Sequence, residues 1–529
     1  MHAVNKSNYR FKASLKQPEV GSSLSHPRRV PEPAQPRRSP LSAIATFLRE
    51  PPFALEVVLW LLLAGFIAGM RIYAWQLMPA YFWTRDAGSY SGAAFQWLDT
   101  GVMIFDGRRG PTYTLLIAAA IKWCGSFNGV VWLQHTLGGL AELGIVLAAR
   151  VWWGRLSVLP LFVCGVCLAA YGLPLHLGHL IRNETILFIF SALAFCAWWV
   201  ALKWNSPTWL FVAALGAGLV TMTKNVFVPF PFILIGGVLF LEGHALKAKL
   251  ARVALIIAGF LLPFAALKAH NALSRHVNPP EPQAGILFYG RTAQWTKLDG
   301  GIEPELKAKI RTEVEDYRAR PKLDNNIVIK RTIVPHLWNL LARQGKTPVD
   351  LDRLCRRLAI EAVENQPAAF WHQMRGDLAK LQTRGVEDDF PTADQAAEAI
   401  GELQGHEDAQ TIHPTMEADR TIATLQAHQD DTAFQLFHRL LARSILFQLY
   451  PVLETTIGLA LLLVCTRGRE REFFLGCAAV WYFNMILLST VGRPIERYLM
   501  PLIPIMFWTL SGVILLVWRG ILRRVKEEG

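Results

Sequence analysis

The chain alternates long apolar runs with short connectors that are mostly basic. Crossing a bilayer takes about 20 apolar residues of helix. Runs near that length recur at about 53–75, 127–150, 156–174, 184–203, 208–223, 226–242, 252–269, 445–465, 472–490 and 499–518. The pattern predicts an all-α polytopic membrane protein with about ten transmembrane helices. A further apolar stretch, 112–125, is short and reads as a juxtamembrane or re-entrant helix. The connection around Lys224 is polar and tight.

Four segments follow from this pattern. Residues 1–50 are basic and proline-rich (HPRRVPEPAQPRRSP) and cannot bury enough apolar area to fold alone, so they read as a disordered cytoplasmic tail. Residues 51–270 form an N-terminal transmembrane module whose first helix is an uncleaved signal anchor. Residues 271–442 are too long for an idle loop and read as a mostly helical extracytoplasmic domain. Residues 443–529 form a C-terminal transmembrane module. Within the outer domain, NPPEPQAGILFYGRTAQW is turn-rich and strand-like, whereas 304–319, 327–345, 348–382 and 431–443 have helical periodicity. Pro367 after Asn365 marks a helix break followed by a first-turn proline, and 384–431 is acidic and punctuated by glycine and proline.

Charge supplies the orientation. Arg150 and Arg155, Lys203, Lys247, Lys249 and Arg252, Arg467, Arg469 and Arg471, and Arg519, Arg523 and Arg524 all fall on alternate connectors, so the positive-inside rule puts both termini in the cytoplasm and the first loop outside. The net charge of +13 therefore reports topology, and no nucleic-acid partner is expected. Composition agrees with a membrane protein: 52% of residues are hydrophobic, 18 are Trp and 29 Phe, with a mean hydropathy of +0.27. Seven cysteines, six of them in or beside apolar runs, make no disulfide framework. Cys164 and Cys167 form a CxxC embedded in LFVCGVCLAA and read as helix packing.

Several polar residues converge on the outer face of this topology. Arg85 and Asp86 stand together at the membrane edge, where charge usually has a function. Asp86, Tyr90, Ala93, Ala94 and Trp97 recur at helical spacing and predict a short surface helix. Arg108, Arg109, Gly110 and Pro111 then break it. Arg182, Asn183 and Glu184 open the fourth span, Lys224 sits in the tight turn joining the fifth and sixth, His270 and Asn271 end the seventh, and Arg493, Glu496, Arg497 and Tyr498 precede the tenth. Such a set suits a lipid-linked phosphate: cations compensate the charge of a phosphate leaving group, and a carboxylate takes a proton from an incoming nucleophile.

The order of these motifs resembles the polyprenyl-phosphate-sugar-dependent GT-C glycosyltransferases, the superfamily of protein O-mannosyltransferases and lipid A aminoarabinose transferases. It rests on RDAGSYSGAAFQWLDTG, RRGPTYTLLIAAAIKWCG, RNETILFIFSALAF, GLVTMTKNVFVPFPFILI, KAHNALSRHVNPPEPQAGILFYG and ERYLMPLIPIM. It covers most of 53–300 and 445–518, and reaches the outer domain only loosely through LAIEAVENQPAAFW. By position, the resemblance implies that Asp86 is the first-loop catalytic acid and Glu184 a second acidic residue. It further implies that Lys224 meets the carrier phosphate and that Arg497 and Tyr498 help hold it. Arg85, Tyr90, Arg109 and Arg182 join these as candidate substrate-binding residues. The first motif here is Arg-Asp where the family commonly has Asp-Glu or Asp-Asp, and the helix opens Arg-Gly-Pro where the family has Lys-Pro-Pro. These departures bear on the sugar and the acceptor.

The resemblance implies an inverting hexosyl- or pentosyl-transferase in a bacterial inner membrane. Its partners would be a polyprenyl-phosphate-sugar donor, membrane lipids and a lipid, glycan or protein acceptor on the periplasmic side. No cofactor is required by the residues, although His176 and His179, with His270, His276 and Asp86 on the same side, leave room for a divalent metal. Two alternatives stay open: a polytopic transporter or lipid flippase, and a polysaccharide polymerase or ligase using a diphosphate-linked donor.

Overall fold

The structure is a computed structural model that describes residues 52–77, 81, 87–102, 110–154, 157–224, 228–241, 243, 245–273, 284–319, 333–383, 451–490 and 496–528; for residues 77, 241, 317, 380–383, 451, 496–498 and 525–528 it describes the backbone alone. The tail of residues 1–50, Arg85, Asp86, Arg109, His276, the acidic stretch 384–431 and the helix expected at 431–443 lie outside these. Among the described residues every element is a helix.

The first apolar run folds as α1 (Phe53–Leu77). The first loop contributes α2 (Ala87–Thr100), the short helix that the spacing predicts, and α3 (Pro111–Cys124). Pro111 opens α3, where a missing amide costs nothing, and Gly110 is its cap. Ser126 then starts α4 (Phe127–Trp153), its hydroxyl accepting from the Gly129 amide at 3.3 Å. The run expected at 156–174 is split into α5 (Val158–Ala169) and α6 (Gly172–Leu177). Pro174 has no amide to donate to the Ala170 carbonyl, so a continuous helix would lose that bond. Next come α7 (Glu184–Trp204) and α8 (Pro207–Thr223), joined at Asn205, whose φ of 53° is left-handed and turns the chain. The following run is shortened by Pro229 and Pro231 to α9 (Phe230–Gly236), which continues as a π-turn over Gly237–Leu241, and α10 (Leu246–Leu273) completes the series.

The segment between the two sets of membrane helices folds as α11 (Ala284–Thr292), α12 (Pro304–Lys309), α13 (Arg311–Ala319), α14 (Ile333–Ala342), α15 (Pro348–Asn365) and α16 (Pro367–Thr383). α11 and the 3-10 turn Ala293–Trp295 correct the strand-like expectation over 284–295, while 278–283 lie outside the described residues. The Asp352 carboxylate, on α15, accepts from the Gly285 and Ile286 amides at 2.7 and 3.3 Å. That cap comes from 66 residues away and is invisible in the local sequence. The Pro367 break appears where it is expected. Tyr289, Ile310, Val314, Ile333, Leu337, Leu354 and Leu358 form a separate apolar core for these helices.

The chain then returns as α17 (Pro451–Cys465), α18 (Gly468–Thr490), a 3-10 turn (Glu496–Leu502) and α19 (Ile503–Glu528). Among the described residues six helices are long and apolar enough to cross a membrane: α1, α4, α7, α10, α18 and the stretch Leu499–Arg524. Shorter apolar helices lie at the four other expected spans, as α5, α8, α9 and α17. The chain is a multi-pass membrane protein. The cores of the N-terminal and C-terminal helices are one: Trp199 stacks on Trp508 at 5.4 Å and meets Phe473 edge-on at 3.8 Å, while the Trp508 indole donates to the Ile145 carbonyl at 3.1 Å. α8 and α10 touch backbone to backbone, since a methyl group at Gly259 would stand 2.5 Å from the Phe211 carbonyl oxygen. All seven cysteines are free thiols, with Cys164 buried and Cys167 half-buried on α5.

Hydrogen bonds sort the helix ends into two groups. At one end the Arg150 guanidinium pairs with Glu56 at 2.7 Å, Lys203 donates to the Trp152 carbonyl at 3.1 Å, and the Trp152 indole donates to Glu470 at 3.0 Å. Arg469 donates to the Leu202 carbonyl at 2.8 Å, and Arg252 donates to the Asn205 side chain at 3.0 Å. These are the basic connectors that charge alone assigns to one side. At the opposite end Arg291 pairs with Asp377 and donates to the Ser489 carbonyl at 3.2 Å, which fastens α11 and α16 to the far end of α18.

Candidate functional site at the first turn of α3

Pro111 and the three residues after it project in different directions, and two of them reach separate motifs. Thr112 hydrogen-bonds through its hydroxyl to that of Thr223, the last residue of α8. Thr223 donates its own proton to the Leu219 carbonyl at 2.7 Å, so Thr112 is the donor of the pair. Gly110 makes the approach possible: a methyl group there would overlap the Met222 carbonyl and stand 2.9 Å from the Thr223 Cα. Lys224 follows at once, half-buried, with an extended backbone that ends α8 and an amide donating to the Val220 carbonyl at 2.8 Å. The Arg-Gly-Pro motif and the Thr-Lys turn, 111 residues apart in the chain, are thus one place in the fold.

Tyr113 turns the other way. Its fully buried ring stands edge-on to Tyr90 of α2 at 5.0 Å. Its hydroxyl donates to the Gln134 side chain at 2.9 Å and is electrostatically linked to Glu184 and Arg182. Gln134 passes the connection on, donating to the Gly178 and Leu180 carbonyls at 2.8 and 3.1 Å. Those carbonyls belong to the turn that leads into α7, where Arg182 is half-buried and Asn183 and Glu184 are buried. Thr185 secures the same turn by donating to the Leu177 carbonyl at 3.1 Å.

Tyr90, Arg182, Lys224 and Glu184 are therefore brought around one helical turn. Asp86 and Arg85 immediately precede α2, and Arg109 immediately precedes Gly110, outside the described residues. The 3-10 turn that carries Arg497 and Tyr498 packs against α6 and α7, with Leu499, Met500 and Leu502 buried. His270 and Asn271 are half-buried near the end of α10. The arrangement joins the amino ends of α3 and α7, both favourable to anions, to a lysine and an arginine. A carboxylate sits beside them.

Sequence reasoning passed over a second polar group beneath this turn. Arg71 of α1 and Glu142 of α4 form an ion pair, 5% and 1% exposed. Arg71 also lies 3.4 Å from His135 Nδ1 and donates to the Pro174 carbonyl at 3.4 Å, and His135 Nε2 lies 3.1 Å from His179 Nδ1. The signal was present: an arginine and a glutamate inside apolar runs are costly there and mark a function by default. His176 is buried nearby. Among the described residues no group of three His, Cys, Asp or Glu side chains is arranged to hold a metal.

No family model and no curated protein sequence matches the chain. Among solved structures it is similar to ArnT from Cupriavidus metallidurans bound to undecaprenyl phosphate, at 14% identity over 83% of this chain and 78% of that one, with a TM-score of 0.36. The apo state of the same protein gives 14% identity over 82% and 77%, with a TM-score of 0.33.

Proposed function

We propose that this protein is an integral membrane glycosyltransferase that moves a sugar from a polyprenyl-phosphate donor to an acceptor on the extracytoplasmic face of a bacterial inner membrane. The observation that carries the reading is the first turn of α3, which joins the Lys224 turn to the Glu184 turn at the helix ends opposite the basic connectors. These are two of the motifs that carry the sequence resemblance to the GT-C enzymes.

In this reading the acceptor hydroxyl or amine attacks the anomeric carbon from the face opposite the phosphate. The bond from that carbon to the phosphate oxygen breaks, and polyprenyl phosphate leaves with the electron pair. The acceptor proton passes to the Asp86 carboxylate. Lys224 and Arg497, with Tyr498, Arg182, Arg109 and Arg85, compensate the charge that grows on the leaving phosphate. Glu184 and Tyr90 position the reacting groups. Transfer with inversion needs one base and no covalent enzyme intermediate.

A transporter would use charges within the membrane, and Arg71 with Glu142 are such charges. They neutralise each other within packed helices, however, and offer no open path. The test is direct: purified protein is incubated with radiolabelled polyprenyl-phosphate sugars and candidate acceptors, and release of polyprenyl phosphate is followed. Release is expected. Folded protein that releases none from any such donor, but carries lipid or solute across a vesicle membrane, would overturn the proposal.

A further inference from the structure

Arg71 meets Glu142, the Pro174 carbonyl and His135 as a donor, because a guanidinium cannot accept a hydrogen bond. One terminal nitrogen serves Glu142, and the other faces both the Pro174 carbonyl and His135 Nδ1. His135 Nδ1 must then be the acceptor, so its proton resides on Nε2, which donates to His179 Nδ1 at 3.1 Å. His179 Nδ1 also lies 3.2 Å from the Leu175 carbonyl. Were it the protonated nitrogen, donating there, His135 Nε2 would become the acceptor and its Nδ1 proton would point at the Arg71 guanidinium. The directed order Arg71, His135, His179 avoids that clash of donors, and in it the Leu175 carbonyl faces His179 Nδ1 with no proton between them.

Each member grips the chain just before α7. Arg71 holds the Pro174 carbonyl, His135 holds the side chain at position 179, and Gln134 beside it holds the carbonyls at 178 and 180. Gly178 lets the imidazole in: a methyl group there would stand 2.8 Å from His135 Cε1. On the other side the His179 ring stacks on Trp75 at 6.2 Å. Three residues after His179 the same backbone presents Arg182, and after it Glu184. Burying an arginine and a glutamate among transmembrane helices is expensive, and pairing the charges would not by itself need two histidines.

We propose that Arg71, His135 and His179 are positioning residues: a one-way hydrogen-bond chain, charge-balanced by Glu142, that fixes the 174–183 turn and through it the placement of Arg182 and Glu184 at the site. Its catalytic consequence rests on the proposed glycosyl transfer, whereas its structural part does not.

The test uses Arg71→Met combined with Glu142→Leu. Removing both charges leaves neither one buried alone, so the fold is retained, and a single sharp elution peak with an unchanged melting temperature confirms it. Hydrogen exchange of the backbone amides at 176–183 is measured in the full-length protein without substrate. Exchange is expected to accelerate there and nowhere else in the bundle. In the transfer assay kcat falls about ten- to a hundredfold, the range for a displaced catalytic group, while donor KM stays within about twofold. Arg71→Lys, still a donor, restores most of kcat. Unchanged exchange overturns the chain whether or not the parent protein turns over any donor. Faster exchange with unchanged kcat overturns the positioning role. Absence of turnover in the parent counts against the glycosyltransferase reading and leaves the exchange result to decide the chain.

Discussion

The hydroxyl of Thr112 donates to that of Thr223, and this one bond spans the two motifs that a sequence presents as unrelated. It fixes the amino end of α3, an end that favours anions, against the last residue of α8, immediately before Lys224 in the chain.

Disturbing that joint should act on donor binding before it acts on chemistry. Thr112→Val removes the donor but keeps the shape, at a cost of about 0.5–1.5 kcal/mol in stability. Gly110→Ala pushes a methyl group against the Met222 carbonyl and costs about 1–3 kcal/mol through overpacking. Thermal melting gives the order of the two variants, and titration with a polyprenyl-phosphate donor is expected to show weaker binding in both. Donor affinity unchanged in Gly110→Ala would separate this joint from the phosphate site.

Lys224→Ala should weaken donor binding about ten- to a hundredfold, the worth of a charge-assisted contact of about 1.5–3 kcal/mol. Folding is expected to survive, because the residue closes α8 through its backbone amide, which alanine keeps. Equal binding of the lipid donor by wild type and variant would reduce Lys224 to a topological anchor.

Asp86→Asn keeps size and hydrogen bonding but cannot take a proton. Sugar transfer is expected to fall about a hundred- to ten-thousandfold, with donor affinity changed far less. Asp99→Asn and Asp106→Asn, in the same loop, are the controls and should retain activity. Loss in all three alike, accompanied by lower melting temperatures, would point to folding and away from a base.

Sidedness can be read with single cysteines, in a background where the exposed Cys124 and Cys465 are serine. In intact cells a membrane-impermeant thiol reagent should label Lys346→Cys in the outer helices and spare Arg467→Cys between α17 and α18. The reverse pattern would move the proposed active site to the cytoplasm.

How much of this was legible in the chain depends on the range of the interactions involved. Helix positions, the α2 amphipathic spacing, the Pro111 and Pro367 starts and the gathering of basic connectors at one end are set within about one helical turn or by charge count, so the linear order carried them. The split of α5 from α6 could also have been read from Pro174. Tertiary structure alone decided the rest. α11 is a helix because Asp352 reaches its amides from α15. Thr112 and Tyr113, neighbours on one helical turn, tie the end of α8 just before Lys224 and, through Gln134, the turn just before Glu184. Arg71 and Glu142 are visible as letters, but which helices would face each other to pair them is a property of packing, and packing among apolar surfaces leaves no local signature.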